Sequence, residues 1–188
     1  MGAIKSKTIY AILYGPSGSG KTLFQYALQS SVNVLKEIKP TEGYNYEEIS
    51  LNNMNLGIFD VSGNTNQYEI LSLVTKCVNI SAIIYVVPMN NLGELDKSSS
   101  QLELLLGNNN LKDGLSLILI YNKNIREKEK AFWMPLNLLD SRMRIEKLKK
   151  KYKLQVVKSC MIDVSLCNDN DSSEFYKCVD SIFDGIED

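Results

Sequence analysis

The chain has 188 residues, of which 44% are hydrophobic and 23% charged, and its formal net charge is −1. That is the size of one ordinary domain with enough apolar side chains for a core, and the near-neutral balance argues against a broad basic face for nucleic acid. Histidine is absent, which excludes Ser-His-Asp and Cys-His catalysis and any zinc site that needs imidazole.

The first seven residues, "MGAIKSK", form a short arm that satisfies M-G-x-x-x-[ST], the N-myristoylation pattern, with Gly2 as acceptor. One myristoyl chain binds a membrane only marginally and reversibly, so stable attachment needs a second contact. Apolar, β-branched runs follow at Thr8–Tyr14, Leu56–Asp60, Ser81–Val87, Leu115–Tyr121 and Leu154–Ser159. Helix-length segments separate them, with apolar residues at 3.6-type spacing: Leu102, Leu105 and Leu106, then Leu139, Met143 and Leu148. Strands alternating with helices predict a mostly parallel sheet covered on both faces. A hairpin, Tyr46–Leu51 and Leu56–Asp60, turning through "NNMN", is expected to add one antiparallel edge strand. A single α/β domain over residues 1–188 is the reading.

Cys77, Cys160, Cys167 and Cys178 show no CxxC spacing and no secretory signal precedes them, so they are expected to be reduced, mostly buried thiols of an intracellular protein. No apolar run approaches the ~18 residues that span a bilayer. A basic "KLKKKYK" and an acidic "DNDSSE" read as solvated surface segments.

The most informative stretch is "AILYGPSGSGKTLF". It fits GxxxxGK[ST] at every fixed position, between a strand and a helix. Backbone amides from Ser17, Gly18, Ser19 and Gly20 must converge on phosphate oxygens, and side chains at Gly15 and Gly20 would obstruct that approach. Lys21 reaches β- and γ-phosphates, and the Thr22 hydroxyl ligates Mg²⁺. The loop itself leaves the nucleotide open. A transporter ATPase needs LSGGQ, which is absent, and a nucleotide kinase needs several phosphate-clamping arginines, whereas only Arg126, Arg142 and Arg144 are present.

"KPTEGYNYEEISLNNMNLGIFDVSGNTNQYEI" resembles the switch I, interswitch and switch II segments of ADP-ribosylation-factor-like (Arf/Arl) small GTPases, whose pattern is PT-x-G-[FY]-N followed by a hairpin and W-D-V-G-G-Q. The resemblance covers nearly the whole chain. It implies a three-layer P-loop NTPase (Ras-like) fold, with a six-stranded, mostly parallel sheet, one antiparallel edge strand and helices on both faces. It also implies GTP or GDP with Mg²⁺ as ligands. Carried over, Thr41 ligates Mg²⁺ when a γ-phosphate is present, Asp60 holds it through water, and the Gly63 amide binds the γ-phosphate. "YNKNI" resembles NK-x-D, so Asn122 braces the phosphate loop and Lys123 lies across the base. "KSCMI" resembles [ST]-[CA]-A only loosely, placing Cys160 and Met161 beside guanine O6. Tyr44 and Phe59, with Val74 where an aromatic is expected, form the partner-binding patch, whose plainer reading is core and hairpin packing. Glu42 stands where the family has an apolar, effector-facing residue. Arf-like proteins are often myristoylated at this glycine, but the family's amphipathic N-terminal helix has no counterpart before Thr8.

Three departures bear on function. The NK-x-D aspartate is Ile125; two lost hydrogen bonds of charged type amount to on the order of 10²–10⁴ in affinity and most discrimination against adenine. Glu127 is a nearby acid that a local shift would bring into its place. The water-orienting glutamine of switch II is Asn64, shorter by one methylene, about 1.5 Å of reach; misplacement on that scale lowers rates by orders of magnitude. Ser17 sits beside the γ-phosphate, where bulk matters. The expectation is a divergent Arf-like GTP-binding protein with little or no intrinsic hydrolysis. It would act as a regulatory or scaffolding module in membrane traffic or ciliary/cytoskeletal assembly, at a cytoplasmic, peripheral-membrane or ciliary location. A GTP/GDP switch assisted by an activating protein and an ATP-using P-loop enzyme stand as alternatives.

Overall fold

The computed structural model describes residues 8–29, 41–51, 54–63, 67–89, 92–123, 134–164 and 172–184. In chain order the elements are β1 (Thr8–Tyr14), α1 (Lys21–Leu28), β2 (Tyr44–Leu51), β3 (Met54–Val61), α2 (Gln67–Cys77), β4 (Ala82–Pro88), α3 (Leu92–Leu106), β5 (Ser116–Asn122), α4 (Leu136–Arg142), α5 (Ile145–Lys151), β6 (Val157–Ile162) and α6 (Ser172–Phe183). They build one six-stranded sheet in the order β2-β3-β1-β4-β5-β6. Every neighbouring pair is parallel except β2–β3, as the sequence pattern predicts.

Strands β4 and β5 are buried at every position because both faces are covered. Along β4, Ile83, Tyr85 and Val87 enter one core with residues of α2 to α5, while Ala82, Ile84 and Val86 enter the other with residues of α1 and α6. The result is the expected three-layer architecture, helices over each face of one sheet. Parallel pairing also puts the C-terminal ends of β1, β3, β4, β5 and β6 along one edge. That edge is where ligands bind in open α/β sheets.

Strand ends differ modestly from the sequence expectation. Met54 and Asn55 of "NNMN" belong to β3, opposite Leu51 and Ser50. β6 runs Val157–Ile162 rather than Leu154–Ser159: Lys153 takes φ 49, and pairing with β5 starts at Val157 opposite Leu117. As an edge strand, β6 carries Lys158 and Ser159 in a half-buried run, so its apolar signal fades before the strand ends. The spacing Leu139–Met143–Leu148 is not one helix. Arg144 at φ 57 separates α4 from α5, yet all three residues are buried in the same core. Of the thiols, Cys160 is buried, Cys178 half-buried and Cys77 exposed, so burial does not extend to Cys77; Cys167 lies outside the described residues. Among the described residues no helix is long and apolar enough to cross a membrane.

Asp140 of α4 ties the layers at the β5–β6 side: it accepts from Tyr121 Oη at 2.8 Å and from Ser159 Oγ at 2.7 Å. Burial and then the Asp140 charge push the Tyr121 hydroxyl far above its ordinary value, so it stays a donor at any working pH.

Gln25 of α1 is fully buried, and neither atom of its amide has a hydrogen-bond partner among the described residues. An unsatisfied buried amide costs about 1–3 kcal/mol. Gln25→Met keeps the length and removes the polar atoms, so it is expected to raise the thermal unfolding midpoint by roughly 2–4 °C per kcal/mol recovered. A lowered midpoint in a calorimetric scan of the variant would show that the amide is satisfied in solution.

Candidate functional site

The glycine-rich turn between β1 and α1 is shaped by contacts that admit no side chain. A Cβ on Gly15, at φ 146, would lie 2.3 Å from Val86 O, and one on Gly20, at φ 95, would lie 2.4 Å from Asn122 Nδ2. Ser19 N donates to Pro16 O at 3.3 Å and Phe24 N to Gly20 O at 2.9 Å, closing the turn and opening the helix. Ser17 and Gly18 are exposed and Ser19 is buried. Lys21 folds back along the loop and donates to Gly15 O at 2.9 Å and Pro16 O at 2.8 Å. Burial pushes its ammonium down from 10.5 to about 8, with Asp60 pulling it back up.

At the end of β3, Asp60 gathers the predicted metal residues. Its Oδ2 accepts from Thr22 Oγ1 at 2.7 Å and from Thr41 Oγ1 at 3.1 Å, and the two hydroxyls are 3.0 Å apart. Asp60 is fully buried, and its Oδ1 has no hydrogen-bond partner among the described residues. Burial raises its pKa, and the Thr22, Lys21 and Thr41 interactions lower it only in part. Among the described residues no three Cys, Asp or Glu side chains gather for a metal. Two hydroxyls, a carboxylate with one orphaned oxygen and a nearby phosphate cradle are the hard-oxygen donor set that suits Mg²⁺ bound together with a phosphate.

Gly63 follows two residues after β3 and rests on the phosphate loop: a Cβ there would stand 2.6 Å from Ser17 N and 3.1 Å from Lys21 Nζ. The expected switch residues thus both reach this site, Thr41 at Thr22 and Asp60 and Gly63 at Ser17 and Lys21. Asn64 lies outside the described residues, as do Gly2, Ile125 and Glu127.

At the other end of the edge, Asn122 links three segments. Its Nδ2 donates to Ser19 O at 2.9 Å, and its Oδ1 accepts from Val164 N at 3.2 Å. This is the bracing role read from the sequence. Lys123 is half-buried just beyond β5 and donates its backbone N–H to Ile162 O at 2.8 Å. Cys160 and Met161 need correction. Both lie inside β6, paired with Ile120 and Tyr121, and Cys160 is packed in the α1/α6 core. They stop short of the edge because β6 runs to Ile162; the residues level with and beyond Lys123 are Asp163 and Val164, both buried. The alternation of β6 past Ser159 was the signal that could have located them.

The predicted aromatic patch is only partly a surface. Phe59 and Val74 are buried in the core, while Tyr44 is 48% exposed. Phe59 instead forms the floor under Tyr10, Tyr44 and Tyr46, with ring centroids 6.5, 6.2 and 4.7 Å away. Tyr46 was missed because hairpin alternation alone does not reveal that its outer face stays open.

Comparison with known proteins agrees with this geometry. The model of the ADP-ribosylation factor family matches residues 2–171. ADP-ribosylation factor-like protein 1 of Saccharomyces cerevisiae is 29% identical over 60% of this chain and 60% of its own length. ADP-ribosylation factor D of Dictyostelium discoideum is 33% identical over 63% of this chain and 53% of its own. The chain thus spans less than two thirds of these relatives. Among solved structures, the Arl6 BBS3 small GTPase from Trypanosoma brucei with bound nucleotide analogue GppNp superposes with a TM-score of 0.65, covering 94% of this chain and 98% of that one at 17% identity, which supports the fold.

The lowered value of Lys21 gives a pH test. Its ordinary value is 10.5, so the unfolded chain holds this proton more tightly. Lys21 therefore contributes stability that grows as pH climbs from about 8 to about 10.5. A phosphate group against Nζ restores the ammonium. Nucleotide binding should therefore take up a proton above about pH 8, and affinity should fall by up to about tenfold per pH unit there. Titration calorimetry in buffers of different ionisation heat measures the uptake; affinity that is flat across this window would show that Lys21 stays charged without ligand.

Proposed function

The chain belongs to the ADP-ribosylation factor family of small GTP-binding proteins, and from that premise we propose that it is a Mg²⁺-dependent guanine-nucleotide module with little hydrolysis of its own. Its role on this reading is regulatory or scaffolding, in membrane traffic or in ciliary or cytoskeletal assembly. The observation that carries the binding half is the convergence of Thr22, Thr41 and Asp60 within 3.1 Å of one another beside the phosphate loop. A bound Mg²⁺ would screen phosphate charge and stabilise the ionised Asp60. Thr22 and Asp60 would hold it, and Thr41 would join only when a terminal phosphate reaches it. Lys21 would exchange its two carbonyl partners for phosphate oxygens, which are stronger, charge-assisted acceptors.

The weak hydrolysis follows from Asn64. Electrostatic parts of phosphoryl transfer are present in Lys21, Thr22 and the loop amides, but an attacking water must also be oriented. The asparagine amide falls about 1.5 Å short of a glutamine's reach. Partner contact is assigned to Tyr44 with Tyr46 over Phe59, an aromatic ledge beside Thr41 with a polar phenolic rim. Gly2 would carry a myristoyl group as a second, reversible tether. One observation favours a working switch as second reading: Thr41 and Gly63, the residues that respond to a γ-phosphate, both bear on the loop.

Denaturing the purified protein and identifying the released nucleotide by chromatography tests the reading. Stoichiometric GDP or GTP is expected; ATP would make it a different P-loop enzyme, and no nucleotide would leave an unliganded scaffold. Asn64→Gln is expected to raise single-turnover GTP hydrolysis by at least about tenfold. An unchanged rate with GTP demonstrably bound would sink the short-amide explanation. Lys21→Ala should abolish nucleotide binding, and partner binding that survives it would mark a scaffold rather than a switch.

A further inference from the structure

Two thiols meet where α6 lies on β6. Cys160 is paired with Ile120 of β5 and turns into the α1/α6 core together with Ile118, Ile120 and Ile162. Cys178 comes to the same core from the helix. Along α6, Phe175, Val179 and Phe183 recur once per turn and are buried. Cys178 adjoins Val179 at the border of that stripe, half-buried against the core. Phe24 of α1 meets Phe175 edge-on, with ring centroids 6.1 Å apart, and so fixes how α6 sits over the sheet. Seated this way, the helix brings the Cys178 side chain into hydrogen-bonding contact with the Cys160 thiol. Cys77 is exposed on α2, a helix that covers the opposite face of the sheet, and is far from this pair.

We propose that Cys160 and Cys178 form a redox modification site, closing reversibly to a disulfide that fastens α6 to β6 in the folded protein. A buried thiol by itself is inert. This pair differs because one member is open to solvent on one side and the other already lies against it. Contact with Cys178 and burial push the Cys160 thiol far above its ordinary range, so Cys178 reacts first. With a disulfide oxidant such as glutathione disulfide, the Cys178 thiolate attacks one sulfur and expels a glutathione thiolate. Cys160 then gives its proton to the medium, attacks the Cys178 sulfur and expels the second glutathione. The two thiols lose two protons and two electrons, and the oxidant leaves as two molecules of glutathione.

The bond would close the chain between positions 160 and 178 into a ring, removing freedom that only the unfolded chain has. It would also act on the framework of the site. β6 continues into Val164, whose N–H is held by Asn122 Oδ1 while Asn122 Nδ2 holds Ser19 O of the phosphate loop. The pairing of the thiols stands whether or not a nucleotide fills that edge. Disulfides of this intracellular type are commonly transient and redox-sensing rather than structural.

Peptide mapping and thermal unfolding of the intact chain test the proposal, after incubation of the folded protein with glutathione disulfide and alkylation of the remaining thiols. Cys167 shares a tryptic peptide with Cys160, so the mapping uses a Cys167→Ser background. There the peptides holding Cys160 and Cys178 are expected to be joined, with the mass of two hydrogen atoms lost. The unfolding midpoint is expected to rise by roughly 5–10 °C and to fall back with dithiothreitol. Cys178→Ser should abolish the joined peptides, and Cys160→Ala should do the same, so the test does not hang on one variant folding. Joined peptides that fail to form while Cys77 takes up glutathione overturn the proposal. A crosslinked chain that unfolds at a lower temperature than the reduced one also overturns it, because the bond would then lie outside the native packing.

Discussion

Everything at the functional edge depends on one buried carboxylate. Asp60 Oδ2 accepts from two hydroxyls, one opening α1 and one leading into β2. It therefore joins the phosphate loop, the approach to β2 and the end of β3 at a single atom. Burial raises its pKa against the pull of both hydroxyls and of Lys21, so a cation placed there would lower the cost of its charge. On the proposed function, a cation held at Asp60 would favour a phosphate beside it, and the reverse, without any conformational wire.

The second constraint is the sheet itself. Because five strands run the same way, the candidate segments reach the same edge: the loop after Tyr14, Asp60 to Gly63, and Lys123. Asn122 then turns proximity into register. One side-chain amide bonds a carbonyl of the phosphate loop and an amide after β6, both of buried residues. Glycine at position 20 is what allows this amide to come so near, since a Cβ there would overlap Asn122 Nδ2. The phosphate and base ends of the edge are thus mechanically one piece.

Much of this was legible in the sequence because the signals are local or evenly spaced. "GPSGSGKT" carries its geometry in its own glycines, and fully buried strands such as "AIIYVVP" announce themselves by composition alone. Thr41, Asp60 and Asn122 were found by their order and spacing along a recognised pattern, and the fold sets Thr41 and Asp60 beside Thr22, and Asn122 on the phosphate loop. The failures share a different cause. Cys160 and Met161 were chosen by similarity of a short string, whereas the edge position depends on where β6 stops, which pairing with β5 decides. Phe59 and Val74 were placed on a surface that tertiary packing closes. Single-residue exposure is a property of the assembled layers, and no periodicity along one strand encodes it.

Those failures point to how this site has diverged. The phosphate half is built from backbone amides, glycines and short hydroxyls, whose replacement would collide with neighbouring main chain; Gly15 against Val86 O is the clearest case. Its geometry therefore resists drift. The far end of the edge relies instead on single side chains at strand ends, such as Asn122 and Lys123, and a change there does not force main chain into main chain. The phosphate half of the site can therefore persist in full while side chains at the far end change, as Ile125 in place of the NK-x-D aspartate illustrates.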